Sequence, residues 1–146
     1  MEISSIGTRA DLAPAGKRLI ATGMVKRGKS FIEAAIMLRQ QGGDPYVVRY
    51  LHCQGIEVVL KGALLLQSFD AYEPQFGVLG HDLEKLVDEY FRCLNRTRGL
   101  TNATKQQLCH LNSWYCGNHL LDGNAIEYSR VMRCLNLVLR TLVSVN

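Results

Sequence analysis

His81 and Asp82 stand side by side in the run Gly80-His81-Asp82-Leu83, where a loop passes into an amphipathic segment. An imidazole titrates near neutrality and can give or take a proton, and a loop-to-helix junction presents such a pair toward a neighbouring groove. The same two residues also suit the opening of a helix, where aspartate accepts from unpaired backbone N–H groups and the helix dipole favours its charge. Capping is the favoured reading of both. Together with His119 they are the candidates for acid/base catalysis in this chain.

Two further patterns carry chemistry only in the right context. Cys109, His110, Cys116 and His119 fall within eleven residues, and Cys116-x-x-His119 would place two ligands on one helical face. A structural zinc site draws four ligands from two supporting segments. No second pair is evident, so no metal or other cofactor is expected, and the cysteines are expected to be reduced and mostly buried. Residues Gly23 to Ser30 satisfy the phosphate-loop pattern G-x-x-x-x-G-K-[ST]. That loop needs a buried parallel strand before it and alternating strands and helices around it, yet only Leu19-Ile20-Ala21 precedes it. The expectation is an ordinary loop, with Ser30 capping the helix that follows.

The 146 residues fit one domain, large enough to bury a core without disulfides. No apolar run reaches the roughly 18 residues of a membrane span. Met1-Glu2-Ile3-Ser4-Ser5 lacks the basic start and apolar block of a secretory signal, so a cytoplasmic protein away from membranes is expected. The net charge of +4 is unevenly spread. Lys17, Arg18, Lys26, Arg27 and Lys29 occur with no acid between residues 12 and 32, and Arg130, Arg133 and Arg140 fall on one side of the last predicted helix. Such residues serve a solvated surface or hold phosphate and RNA.

Hydrophobic spacing gives the elements that must position these groups. Phe31, Ala34, Ala35 and Leu38 predict a helix from Ser30 to the Gly42-Gly43 pair, with a shorter one before it from about Leu12 to Thr22. Asp44-Pro45 opens the next, with aspartate as cap and proline at the first position. It runs to about Ser68 and is apolar on most of its circumference, Val47 and Tyr50 included, which places it in the middle of a bundle. Glu57 and Lys61 form an ion pair on it, worth a few tenths of a kcal/mol if exposed. A loop from Asp70 to Gly80 leads to a helix carrying Leu83, Leu86, Val87, Tyr90, Phe91 and Leu94. Further helices cover Thr101 to Cys116 and Asn124 to Val143, the last with Val131, Leu135, Val138 and Leu142 facing inward. The fold class is all-α, an antiparallel bundle of four to five helices. A basic segment over residues 1–27 precedes the bundle at 28–146.

Three of these features, in order, resemble the HEPN superfamily of small helical bundles. They are Glu57 and Lys61 in an aliphatic helix, Gly-His-Asp-Leu at 80–83 opening the next, and Leu111-Asn112-Ser113-Trp114-Tyr115 followed by His119. The likeness spans about residues 28 to 143. It implies a homodimer, with a nucleotidyltransferase or antitoxin encoded nearby as a protein partner. Catalytic members carry arginine and then, after four to six residues, histidine. None of His52, His81, His110 and His119 has arginine at a permitted position. The expected function is therefore a non-catalytic interaction module. The alternative is an RNA-binding protein or a metal-independent endoribonuclease of toxin–antitoxin or phage-defence type.

Overall fold

The computed structural model describes residues 12–95, 100–117 and 125–144, with side chains as far as residue 142. The described elements are α1 (Pro14–Gln40), α2 (Pro45–Gln67), α3 (Phe69–Tyr72), a 3₁₀ turn (Glu73–Gln75), α4 (Phe76–Leu79), α5 (Leu83–Cys93), α6 (Asn102–Cys116) and α7 (Tyr128–Ser144). No strand occurs among the described residues, and no helix among them is long and apolar enough to cross a membrane.

The N-terminal reading needs correction. One helix, α1, runs unbroken through the boundary at residues 27 and 28 and through the whole Gly23 to Ser30 pattern. Ser30 caps nothing; its hydroxyl donates back to the Lys26 carbonyl at 3.1 Å. The helix stops where glycine allows it. Gly42 turns to φ +72°, its N–H donates to Arg39 O, and Gly43 N–H donates to Leu38 O, which is a Schellman ending.

Asp44 then caps α2, its carboxylate accepting from Tyr46 N at 2.8 Å with Pro45 at the first helical position. Ser68 leaves the helix at φ −161° and starts α3. The expected loop from Asp70 to Gly80 is instead a run of short helical turns, because Phe69 and Tyr72 bury and hold the chain against the core.

The apolar helix α2 lies at the centre, touching α1, α5, α6 and α7. Against α1 the approach is close enough to exclude side chains. A Cβ on Gly28 would stand 2.7 Å from Val59 N and 2.8 Å from Gly55 O. Ile56, Val59, Leu60 and Leu64 of α2 share one core with Leu86 and Tyr90 of α5, Leu111 of α6, and Val131, Leu135, Val138 and Leu142 of α7. At the start of α2, Val47 and Tyr50 are exposed rather than inward-facing. The buried Tyr90 and Thr141 hydroxyls pair across α5 and α7.

Candidate functional site

Glu57 is central to a polar cluster inside this apolar bundle. Its position on the buried side of α2 leaves the residue only 5% exposed, so its charge must be met by hydrogen-bond donors. Lys61, one turn on, donates to Oε2 at 2.9 Å, and His81 Nδ1 lies 2.8 Å from Oε1. Tyr115 on α6 donates its hydroxyl to the same Oε1 at 2.8 Å and also lies 2.7 Å from Gln54 Oε1. Burial works against ionisation of this carboxyl, yet the bonds from Lys61, His81 and Tyr115 outweigh it and hold the group below the usual glutamate range. The Glu57–Lys61 pair is thus a buried junction, in contrast to the exposed surface pair that spacing alone allowed.

Asn112, on the same helix as Tyr115, completes the cluster. Its side-chain oxygen accepts from Leu83 N at 2.8 Å, and its amide donates to Asp82 at 2.9 Å and Glu84 at 3.1 Å. Asp82 in turn accepts from Lys85 N, so it caps α5 as its position indicated. The Cys116 thiol donates to the His81 carbonyl at 3.4 Å. Burial, reinforced by the carboxylates of Asp82, Glu57 and Glu84, pushes its pKa up. The thiol is therefore held protonated and is no activated nucleophile. Of the catalytic candidates, His81 and Asp82 belong to this junction, while His119 lies outside the described residues. An imidazole oriented by a buried carboxylate is a geometry that moves protons. Here the carboxylate is already shared among three donors from three parts of the chain, which makes it a tie between α2, α5 and α6.

The basic residues divide. Lys17 pairs with Asp70 at 2.8 Å, and Arg130 pairs with Glu127. Lys26, Arg27, Lys29, Arg133 and Arg140 are exposed and make no ion pair among the described residues. Lys26 and Lys29 share a face of α1, whereas Arg27 is turned about 100° from Lys26. Arg18 is exposed at the beginning of the same helix.

Lys26 and Lys29 border a groove between α1 and α7, which run antiparallel, with one cleft toward each end. At one end Val25, Lys26 and Lys29 of α1 face Leu139 and Leu142 of α7 over Leu66, around a cleft of about 240 Å³. At the other end Ile36, Arg39 and Gln40 of α1 face Tyr128, Ser129 and Met132 of α7 around a cleft of about 190 Å³. Lys26, Lys29 and Arg39 line these clefts, whereas Arg133 and Arg140 follow Met132 and Leu139 directly and are turned about 100° from the groove. Glu33 is the sole acid on α1, and α7 has none. The acids Asp70, Glu73, Asp82, Glu84, Asp88 and Glu89 gather instead between α3 and α5.

Sequence reasoning missed a second cluster, around His52. This histidine is wholly buried on α2, with Nδ1 2.9 Å from the Val48 carbonyl. A carbonyl only accepts, so Nδ1 carries the proton. Nε2 is buried and makes no hydrogen bond. The Tyr128 ring stacks on the imidazole at 4.1 Å, and the Arg39 guanidinium lies over Tyr128 at 5.0 Å. Burial, with the Arg39 charge adding to it, lowers the His52 pKa below 6.5 despite the opposing Val48 hydrogen bond. The only trace in the sequence was a histidine on the flank of an apolar helix.

Comparison with protein-family models, with curated proteins and with solved structures gives no match to this chain.

Proposed function

We propose that this chain is a non-catalytic, HEPN-like helical module that binds RNA along the α1–α7 face. The observation that carries the reading is the groove itself. Lys26 and Lys29, exposed and without an ion pair among the described residues, border it, Arg133 and Arg140 are exposed beside it on α7, and the two helices hold a single acid, while apolar side chains floor the cleft beside Lys26 and Lys29. A cationic track with an apolar floor suits a polyanion that also has flat, weakly polar faces.

The HEPN-like arrangement draws support from the polar junction. Glu57 with Lys61, His81 with Asp82, and Asn112 with Tyr115 come from the three stretches that carried the resemblance, and they converge on one cluster. The non-catalytic reading draws support from the use of His81 as a structural ligand of Glu57. Pairing with a second copy belongs to the same reading, with Tyr46, Val47 and Tyr50 as three exposed side chains near the start of α2. A monomer mass by analytical ultracentrifugation at micromolar concentration would remove that part.

The test of RNA binding is fluorescence anisotropy with labelled single-stranded RNA across a salt series. Four phosphate contacts give a slope of log K against log salt of about −3, and Lys26→Ala with Lys29→Ala lowers its magnitude by about 1.4. Binding that ignores salt, or that is the same in the double variant, would refute the assignment.

A further inference from the structure

The far end of the groove differs from the lysine end in kind. Besides His52 and Tyr128, whose hydroxyl pairs with Arg49, its polar groups are Arg39, Gln40 and Ser129, and none of these three side chains makes an ion pair or hydrogen bond among the described residues. Its walls are Ile36, which is 39% exposed, and Met132. The centre is the half-buried Tyr128 ring. Wholly buried His52 backs that ring at 4.1 Å, while exposed Arg39 lies over it at 5.0 Å. An aromatic platform held from behind, with a long cationic side chain over it, is suited to a second planar group.

Size narrows the choice. A cavity of about 150 Å³ accommodates one benzene ring, and this cleft measures about 190 Å³. It takes a single ring system with a small substituent. Charge narrows it again, because the groove leading to it is cationic from Lys26 to Arg39 apart from Glu33.

We infer that this cleft is a stacking subsite for one unpaired, single-ring base of an RNA strand, with Tyr128 as the platform. The inference rests on the RNA-binding reading above and adds to it the form of the ligand. The base displaces the Arg39 guanidinium from the outer face of Tyr128, and Arg39 moves to the adjoining phosphate. Gln40 and Ser129 border the base edge, and Ile36 and Met132 close on its sides. Lys26 and Arg39 are thirteen residues apart on one helix, so the lysine end and the platform are separated by about 20 Å. A single strand of about four nucleotides spans that distance, the lower end of site sizes on single-strand-binding folds. A duplex keeps its bases stacked on one another and offers none to Tyr128.

The experiment measures anisotropy with a uridine dinucleotide, a uridine hexanucleotide, and the hexanucleotide annealed to its complement, all at one low salt concentration. The hexanucleotide binds at least about tenfold tighter than the dinucleotide or the duplex, and Tyr128→Ala weakens it about tenfold, the loss expected for one base–aromatic stack. Tyr128→Phe restores the ring and with it the binding. Ile36→Asp, a change at the protein surface that leaves the core untouched, weakens binding by a similar factor and guards against misfolding of the Tyr128 variant. If Tyr128→Ala and Ile36→Asp bind the hexanucleotide like the parent while the Lys26 and Lys29 double variant does not, the subsite is overturned and the RNA reading stands. If duplex binds as tightly as single strand, the subsite is likewise overturned. If the parent binds none of the three, both fail.

Discussion

Replacing Glu57 by alanine removes the shared acceptor for Lys61, His81 and Tyr115 at once. The three losses are unequal. The His81 side chain is 73% exposed, so it returns to water and its share is close to nothing. Tyr115 has one hydroxyl proton and turns it wholly to Gln54, so its loss is small. Lys61 fares worst, because its side chain is only 14% exposed and its ammonium is left beside the Phe76 ring with no anion. A part-buried cation without its partner costs about 1–3 kcal/mol. The total is about 2 kcal/mol, which for a chain of this length lowers Tm by roughly 4–8 °C. Glu57→Gln preserves shape and one acceptor oxygen, so about half that loss is expected. Urea unfolding at pH 7 followed by circular dichroism measures both, and two variants within about 0.5 kcal/mol of the parent would refute the argument.

The pH dependence gives an independent check on the same carboxylate. Its folded pKa lies below the ordinary value of 4.5, so the folded state binds fewer protons there than the unfolded chain. The stabilisation is complete above the unfolded value and is lost as pH falls through the folded one. The gap between parent and Glu57→Gln should therefore be constant above about pH 5 and shrink in more acid solution. Glu89, whose pKa is also lowered, chiefly by its bond from Arg92, titrates in both proteins and cancels. A gap that stays unchanged down to the acid transition would show that Glu57 gains nothing from ionisation.

Two further predictions concern the helix contacts. Gly23→Ala meets nothing within 4 Å and should stabilise by up to about 1 kcal/mol through helix propensity. Gly28→Ala, on the same helix, forces a Cβ to 2.7 Å from Val59 N and should cost about 1–3 kcal/mol; thermal unfolding that gives both the same sign contradicts the close approach. His52 has a lowered pKa, so below pH 6.5 proton uptake favours the unfolded chain and stability falls. Urea midpoints at neutral and mildly acid pH should drop for the parent and hold for His52→Leu, and parallel drops would exclude His52 as the cause.

The longer helices were legible where they bury long side chains at regular spacing, though the short turns held by Phe69 and Tyr72 were not. Val131, Leu135, Val138 and Leu142 announce α7 by spacing, and all four are buried; Asp44 and Asp82 announce the starts of α2 and α5, and both cap. The continuity of α1 between its two predicted halves was not legible, and for a specific reason. Its closest approach to α2 runs through small residues, Ala21 against Gly62 and Gly28 against Gly55 and Val59, with Gly28 inside the stretch that was missed. Hydropathy barely registers glycine and alanine, so a seam built for closeness reads as a gap between two helices. Burial of Glu57 was equally hidden. A Glu and a Lys four apart look the same on the surface as in the interior, and the partners that distinguish the cases, His81 and Tyr115, lie 24 and 58 residues further on.

The phosphate-loop pattern at Gly23 to Ser30 shows why spacing alone misassigns chemistry. That motif binds phosphate because a loop leaves several backbone N–H groups unspent and aimed at one point. Inside α1 each of those groups is already donated to the carbonyl four residues earlier, so no cradle exists whatever the residue order. What survives is the side-chain charge. Helical geometry sends Lys26 and Lys29 to one face, beside Leu139 and Leu142 of α7, and turns Arg27 away. The lysines therefore add their charge to a helix face beside α7, and the pattern offers no enclosure for a single nucleotide's phosphates.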